Sequence, residues 1–127
     1  MTVKTFEITI REGVKMQVLL TPALYGVASR KGIDLDSDLK SGDVTGMTRA
    51  YAKLAYCAAL NKWEVDRIDN PSVGDFPYTF SDFDTWSWEN QAELLAFMDA
   101  VLMAFTGKSV KDYQGEDVKK KKNRGLR

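Results

Sequence analysis

The sequence contains no histidine, and Cys57 is its single cysteine. Without histidine the chain lacks the side chain that most often serves as a general base or metal ligand near neutral pH. A single cysteine excludes an internal disulfide and any zinc site built from cysteine and histidine. Cys57 lies in an alanine-rich segment with helical periodicity, so we interpret it as a buried, inert thiol rather than a nucleophile.

Long hydrophobic runs are also missing. No stretch of about 18 apolar residues occurs, and the N-terminus does not show the pattern of a signal peptide. We therefore expect a soluble, intracellular protein. Because 44% of the residues are hydrophobic and 11% aromatic, the chain has enough apolar side chains to fold rather than remain disordered.

The net charge is zero, but charges of opposite sign are segregated along the chain. Residues 1–62 carry nine Lys/Arg and six Asp/Glu, a net charge of +3. Residues 63–107 carry one arginine against nine acidic residues, a net charge of −8, and residues 108–127 carry eight basic and three acidic residues, a net charge of +5. Segregation of this kind bears on the choice of partner more than on the fold.

Alternation of apolar and polar residues predicts a β-hairpin at the N-terminus. The alternation runs over Thr5–Arg11 and again over Val14–Leu20, with Glu12 and Gly13 suited to a tight turn between them. An isolated hairpin is only marginally stable, so we expect its apolar face to pack on helices.

Apolar residues at three- and four-residue steps predict helices in the rest of the chain. The predicted helices are Pro22–Lys31, Asp43–Trp63, a short one that opens with a capping box at Ser81 and ends near Trp88, and Asn90–Phe105. In the central helix one apolar face is formed by Val44, Met47, Tyr51, Leu54 and Ala58. In the last helix the apolar stripe is formed by Leu94, Leu95, Phe97, Met98, Val101, Leu102 and Phe105. Between the first two helices we expect an acidic loop over Asp34–Gly42.

These elements predict an α+β fold that is mainly helical, with an N-terminal β-hairpin packed on a bundle of about four helices. We predict a single globular domain over residues 1–107, in which residues 1–20 form the hairpin and residues 21–107 the helical part. Residues 108–127 are expected to form a flexible, disordered basic tail.

Carboxylates are the remaining candidates for chemistry. Asp34, Asp36 and Asp38 have the opening spacing of a calcium loop, but Leu39 and Thr45 stand where that loop needs glycine and glutamate. Other acidic residues that could act in acid–base catalysis are Asp66, Asp69, Asp75, Asp82 and Asp84. Their spacing does not mark a matched pair. We therefore expect no enzyme, no cofactor and no metal, with a carboxylate-based hydrolase as an alternative.

Six aromatic residues lie within the segment Phe76–Trp88, which also contains two aspartates and follows a third. One short helix cannot bury six rings on one face, so we predict that part of this segment forms a partner-binding patch with an acidic rim. With two residues from the last helix, the predicted partner-binding residues are Phe76, Tyr78, Phe80, Phe83, Trp86, Trp88, Phe97 and Met98. The acidic residues argue against nucleic acid as the partner.

The layout resembles that of the tail-assembly chaperones of long-tailed bacteriophages. The segment TFEITIREGVKMQVLLTPAL is similar to their opening hairpin and the short helix it leads into. SRKGIDL followed by VTGMTRAYAKLAYCAAL is similar to their first, glycine-terminated helix and their alanine-rich second helix. YTFSDFDTWSWENQAELLAFMDAVL is similar to their aromatic, acidic helix and the final amphipathic helix. The resemblance covers residues 5–106.

This resemblance implies a non-enzymatic chaperone that binds the tape-measure protein, keeps it soluble and helps recruit tail-tube protein. It also implies action in the cytoplasm of a bacterial host, absence from the mature virion and no membrane partner, and it leaves homo-oligomerisation open. Many members are made in two forms by a programmed ribosomal frameshift. The lysine run Lys119, Lys120, Lys121 and Lys122 suits such a slip, because consecutive AAA or AAG codons can form a slippery heptamer; an ordinary solvated tail is the alternative.

The residues also allow a second kind of interaction protein. The alternative function is a phage or mobile-element interaction or regulatory protein that binds a basic host partner through its acidic, aromatic half. Salt-sensitive binding would be typical of such a protein.

Overall fold

The computed structural model describes residues 5–40 and 42–107, which form two strands and five helices. The elements are β1 (Thr5–Arg11), β2 (Val14–Leu19), α1 (Ala23–Lys31), α2 (Asp36–Lys40), α3 (Val44–Asp69), α4 (Phe80–Glu89) and α5 (Gln91–Thr106). The predicted α+β, mainly helical fold with an N-terminal hairpin is confirmed. The predicted tail over residues 108–127, with its lysine run, lies outside the described residues. Among residues 5–40 and 42–107, no helix is both long and apolar enough to cross a membrane.

Strands β1 and β2 form an antiparallel hairpin whose register pairs Thr5 with Leu19 and Ile8 with Met16. The turn contains Gly13 at φ 75°, a left-handed conformation that glycine adopts without steric cost. Ile8 and Val18 point into the core and are fully buried. Because β2 packs on α3 and β1 packs on α4 and α5, the hairpin covers one side of the helices.

Helix α1 begins one residue after the predicted start. The N–H of Leu24 donates to the carbonyl oxygen of Thr21 at 3.0 Å, and the helix ends at Gly32, which has a φ of 67°. The predicted acidic loop that follows is corrected in part, since it contains the short helix α2. The N–H of Ser37 donates to Asp34 Oδ1 at 3.1 Å at the start of this helix, so a carboxylate side chain supports its first turn.

Helix α3 is the centre of the fold, and twelve of its 26 residues are buried. Its N-cap is Asp43, whose Oδ1 accepts a hydrogen bond from the N–H of Gly46 at 2.6 Å. The predicted end at Trp63 is wrong, and the helix continues to Asp69. The additional residues 64–69 are mostly charged, and the two apolar ones, Val65 and Ile68, are exposed, so no buried apolar stripe marks these turns. They are held by Glu64, which pairs with Arg30 of α1 at 2.7 Å.

Helices α4 and α5 are joined by a sharp corner at Asn90, which ends α4 and caps α5. The predicted capping box at Ser81 is corrected to Thr79 and Asp82, where the N–H of Thr79 donates to Asp82 Oδ2 at 2.9 Å. At the other end, Gly107 adopts a φ of 75° and terminates α5, whose last residue, Thr106, lies one residue beyond the predicted end at Phe105. Beyond the corner, α5 packs on α4, on α3 and on strand β1 of the hairpin.

Candidate functional site

Three of the eight predicted partner-binding residues lie in the core. Phe83 and Phe97 are 0% exposed and Trp86 is 1% exposed. The Trp86 and Phe97 rings pack edge to face with centroids 5.9 Å apart, and the Trp86 Nε1–H donates to Glu93 Oε1 at 2.9 Å. These three rings are covered by the surrounding helices and hairpin, so the prediction that they contact a partner is corrected: they stabilise the fold.

Three further predicted residues, Phe76, Tyr78 and Phe80, are partly buried. Phe76 and Phe80 each pack edge to face on Tyr56 of α3, with ring centroids 6.1 Å apart in both pairs. Phe76 also contacts Tyr78 with a centroid distance of 5.7 Å. Phe76 and Tyr78 therefore extend the core, and Phe80 packs on Tyr56 of α3, so these rings do not form an open patch.

The last two predicted residues, Trp88 and Met98, lie together in an apolar groove. The groove has a volume of about 270 Å³. It is lined by Val44, Met47, Thr48, Ser87, Trp88, Gln91, Leu94, Leu95 and Met98. Six of these nine side chains are apolar, so the groove is a surface that water solvates poorly.

The groove lies where the starts of α3 and α5 meet the end of α4. Asp43 caps α3 immediately before Val44, which places Val44 and Met47 on its exposed first turn. The corner at Asn90 then brings Trp88, near the end of α4, beside Leu95 on α5. The apolar face predicted for α3 is buried at Tyr51 and Leu54 but exposed at its N-terminal end, at Val44 and Met47.

Four groove residues are strongly exposed for apolar side chains. Val44 is 76% exposed, Leu95 62%, Trp88 41% and Met47 38%. Single exposed apolar residues are common on protein surfaces, but a contiguous group is typical of an interaction site. Sequence reasoning missed Val44, Met47 and Leu95 as surface residues, since their periodicity is the same as that of core residues.

The surface beside the groove is acidic. The sequence has no lysine or arginine between residues 68 and 107, so α4 and α5 carry only negative side-chain charges. Their acidic residues are Asp82, Asp84, Glu89, Glu93 and Asp99. Arg11 of β1 pairs with Asp82 at 3.2 Å, and Arg49 of α3 lies 3.7 Å from Asp84. These two arginines neutralise part of the negative charge of α4 and α5. An excess of negative charge remains on the two helices even when both arginines are counted with them.

The described residues do not assemble a recognisable chemical centre. Among them, no group of three or more His, Cys, Asp or Glu side chains is arranged to hold a metal ion. The Cys57 thiol is fully buried, and burial raises its pKa to about 11. A thiol with this pKa is protonated at neutral pH and is therefore a poor nucleophile. The groove is thus the candidate functional site that the geometry favours.

Comparisons of the chain with protein-family models, with curated proteins and with solved structures give no match.

Proposed function

We propose that the protein is a phage tail-assembly chaperone that binds the tape-measure protein, keeps it soluble and helps recruit tail-tube subunits. The observation that supports this function best is the open apolar groove, in which Val44, Met47, Trp88 and Leu95 are exposed together. A chaperone of this kind has to present apolar surface to a client while its own core stays packed. Phe83, Trp86 and Phe97 are fully buried, so the large rings of the core are not part of this exposed surface.

Two further properties of the groove suit a client with many different apolar segments. Met47 and Met98 both line it, and the flexible thioether side chain of methionine adapts to apolar partners of different shape. The acidic surface of α4 and α5 keeps the chaperone soluble beside its apolar groove. Under this proposal the protein acts in the cytoplasm of the bacterial host and is absent from the finished virion.

The test is co-expression of the full chain with the tape-measure protein encoded beside it. We expect the wild-type chain to raise the soluble fraction of the tape-measure protein and to co-purify with it. The double variant Trp88→Ala/Leu95→Ser should lose both effects, while its thermal unfolding midpoint falls much less than that of a core variant such as Trp86→Ala, because Leu95 is 62% and Trp88 41% exposed. The matched control is Ile68→Ser, which alters an 80% exposed apolar residue outside the groove lining and should behave as wild type.

Two results would contradict the proposal. One is a tape-measure protein whose solubility does not depend on the wild-type chain. The other is a groove double variant that is as effective as wild type. Trp86→Ala is a useful reference for unfolding, because removing this buried ring should destabilise the fold by about 3–5 kcal/mol and lower activity for that reason alone.

The absence of basic residues between positions 68 and 107 supports a second candidate function. In that alternative the protein is a regulatory protein that binds a basic host partner through α4 and α5. Strong binding to a basic protein that disappears at high salt, together with no affinity for tail components, would favour it.

A further inference from the structure

The shape, lining and charge of the groove together select one kind of occupant. We infer that the groove binds a single amphipathic α-helix whose apolar stripe is flanked by lysine and arginine residues. This inference rests on the proposed function, in that it assigns the chemistry of the client segment that the chaperone holds.

The shape favours an elongated occupant. Gln91, Leu94, Leu95 and Met98 line the groove from α5, and Leu102, four residues beyond Met98, continues the same side of the helix and is only half-buried. The stripe from Gln91 to Leu102 spans about 16 Å along the helix axis. A stripe of side chains at three- and four-residue steps is the surface on which a second helix packs.

The lining favours a helix over an extended segment. The polar side chains in the groove are those of Thr48, Ser87 and Gln91, and the Ser87 hydroxyl already donates to the carbonyl oxygen of Asp84 at 2.6 Å. An extended segment would bury backbone N–H and C=O groups against apolar side chains, which is costly without hydrogen-bond partners. A helix satisfies these groups internally, so it can present a purely apolar face.

The charge favours a basic helix. In the sequence the exposed Glu89 follows the groove residue Trp88, and Asp99 follows Met98, whereas the carboxylate of Asp43, which precedes Val44, already caps α3. The cation Arg49, which follows Thr48, lies 3.7 Å from Asp84. Lysine or arginine residues beside the apolar stripe of the occupant would be attracted by the excess negative charge of α4 and α5, whereas glutamates there would meet like charge.

The test measures binding of designed peptides to the full chain by fluorescence anisotropy. The first peptide is a helix with leucines at i, i+3, i+4 and i+7 flanked by lysine and arginine, and the second has the same leucines flanked by glutamate. The third has the basic composition with a central proline that breaks the helix. We expect the basic helix to bind at least about tenfold more tightly than the acidic helix at low salt, and the difference to shrink as salt is added.

Variants locate the contact. Trp88→Ala/Leu95→Ser should weaken binding of the basic helix about tenfold or more, and the control Ile68→Ser should not change it. Glu89→Lys alters an exposed carboxylate next to Trp88 in the sequence and outside the groove lining. It should reduce the preference for the basic helix over the acidic one.

Three outcomes would overturn the inference: equal or tighter binding of the acidic helix, equal binding of the proline-containing peptide, or self-association of the chain that Leu95→Ser abolishes. The first two would assign another ligand chemistry, and the third would make a second copy the occupant.

Because the peptides contain no tape-measure sequence, the two proposals fail separately. If the basic helix binds but the tape-measure protein does not co-purify, the chaperone function is wrong and the groove chemistry stands. If the tape-measure protein co-purifies through the groove but the peptides show no preference, the groove chemistry alone is wrong.

Discussion

At the scale of single residues, Cys57 shows how burial controls chemistry. Its side chain is 0% exposed in the middle of α3, and this burial raises the pKa of the thiol to about 11 from an ordinary value of 9.0. The cause is loss of solvation, which penalises the charged thiolate. The same cause, with a smaller contribution from Tyr25, raises the pKa of the Tyr51 hydroxyl. Both groups are therefore neutral in the folded protein near pH 7.

The first prediction concerns the alkaline stability of the fold. In the unfolded chain Cys57 loses its proton near pH 9, whereas in the folded chain it keeps the proton until about pH 11. The folded state therefore binds more protons in this window, so the free energy of unfolding falls as the pH rises from 9 towards 11. The contribution lost between pH 8 and pH 10 is about 1 kcal/mol.

Urea denaturation at pH 8 and pH 10 measures this loss. The control is Cys57→Ala, which removes the titrating group and should reduce the drop in unfolding free energy by about 1 kcal/mol. Any cost of the smaller side chain applies at both pH values and cancels. An identical drop in the wild type and in Cys57→Ala would contradict the assignment.

At the scale of elements, Asn61 joins the hairpin to the helices. This residue of α3 is 3% exposed. Its Nδ2 donates to the carbonyl oxygen of Leu19, at the end of β2, at 3.1 Å and to Thr21 Oγ1 at 2.9 Å. One buried amide thus satisfies a strand end and the approach to α1, where backbone hydrogen bonding changes from strand to helix.

The second prediction is that Asn61→Asp lowers the free energy of unfolding at pH 7 by about 2 kcal/mol or more. The substitution keeps the shape but replaces the buried donor by a carboxylate that faces the Leu19 oxygen. The matched control is Asn70→Asp, in which the side-chain oxygen that accepts from Ser72 is retained. Asn70 is exposed, so this change should cost less than about 1 kcal/mol. Equal losses in the two variants would show that the buried donor is unimportant.

The elements that hydrophobic periodicity and local caps determine could be predicted from the sequence. The hairpin and the ends of α1 and α5 belong to this group, because alternation and Gly32 and Gly107 mark them locally. The last turns of α3 could not be predicted in this way, because this segment has no apolar stripe. Its contacts are polar: Lys62 and Asp66 pair at 2.5 Å, and Arg67 lies 5.1 Å from the Trp63 ring. Polar contacts of this kind leave no periodic signal.

The candidate site was predictable only in part. The acidic, aromatic character of the Phe76–Trp88 segment is visible in the sequence, and Trp88 does line the groove. Which rings face inward depends on where α4 starts and on what packs across it. Trp86 and Trp88 are two positions apart, yet they are 1% and 41% exposed. Val44 and Leu95 meet only through the tertiary fold, and no local pattern could bring them together.

At the scale of the whole molecule, burial is concentrated around α3. Twelve of the 26 residues of α3 are buried, whereas α5 buries three of 16, namely Leu94, Phe97 and Val101. Every other described element packs against α3 or against an element that does. The fold is therefore anchored most firmly at its central helix and less firmly at the helix that forms much of the groove.

The third prediction follows from this distribution and concerns amide hydrogen exchange in the native state. Amides in the central part of α3, residues 50–61, should exchange most slowly, at rates close to those of global unfolding. Amides in the last two turns of α5 should exchange faster through local opening, because few buried contacts hold them. Exchange followed by NMR resolves the two regions, and equal protection of α5 and α3 would contradict the prediction.

The lack of basic residues from Ile68 to Gly107 has a practical consequence for the laboratory and the cell. Trypsin has no cleavage site within this stretch, and amine-reactive cross-linkers and lysine-modifying enzymes find no target on α4 or α5. A partner bound along these helices would leave no footprint in lysine-directed labelling. Carbodiimide chemistry, which activates carboxylates such as that of the exposed Glu89, is the labelling that can report on this face.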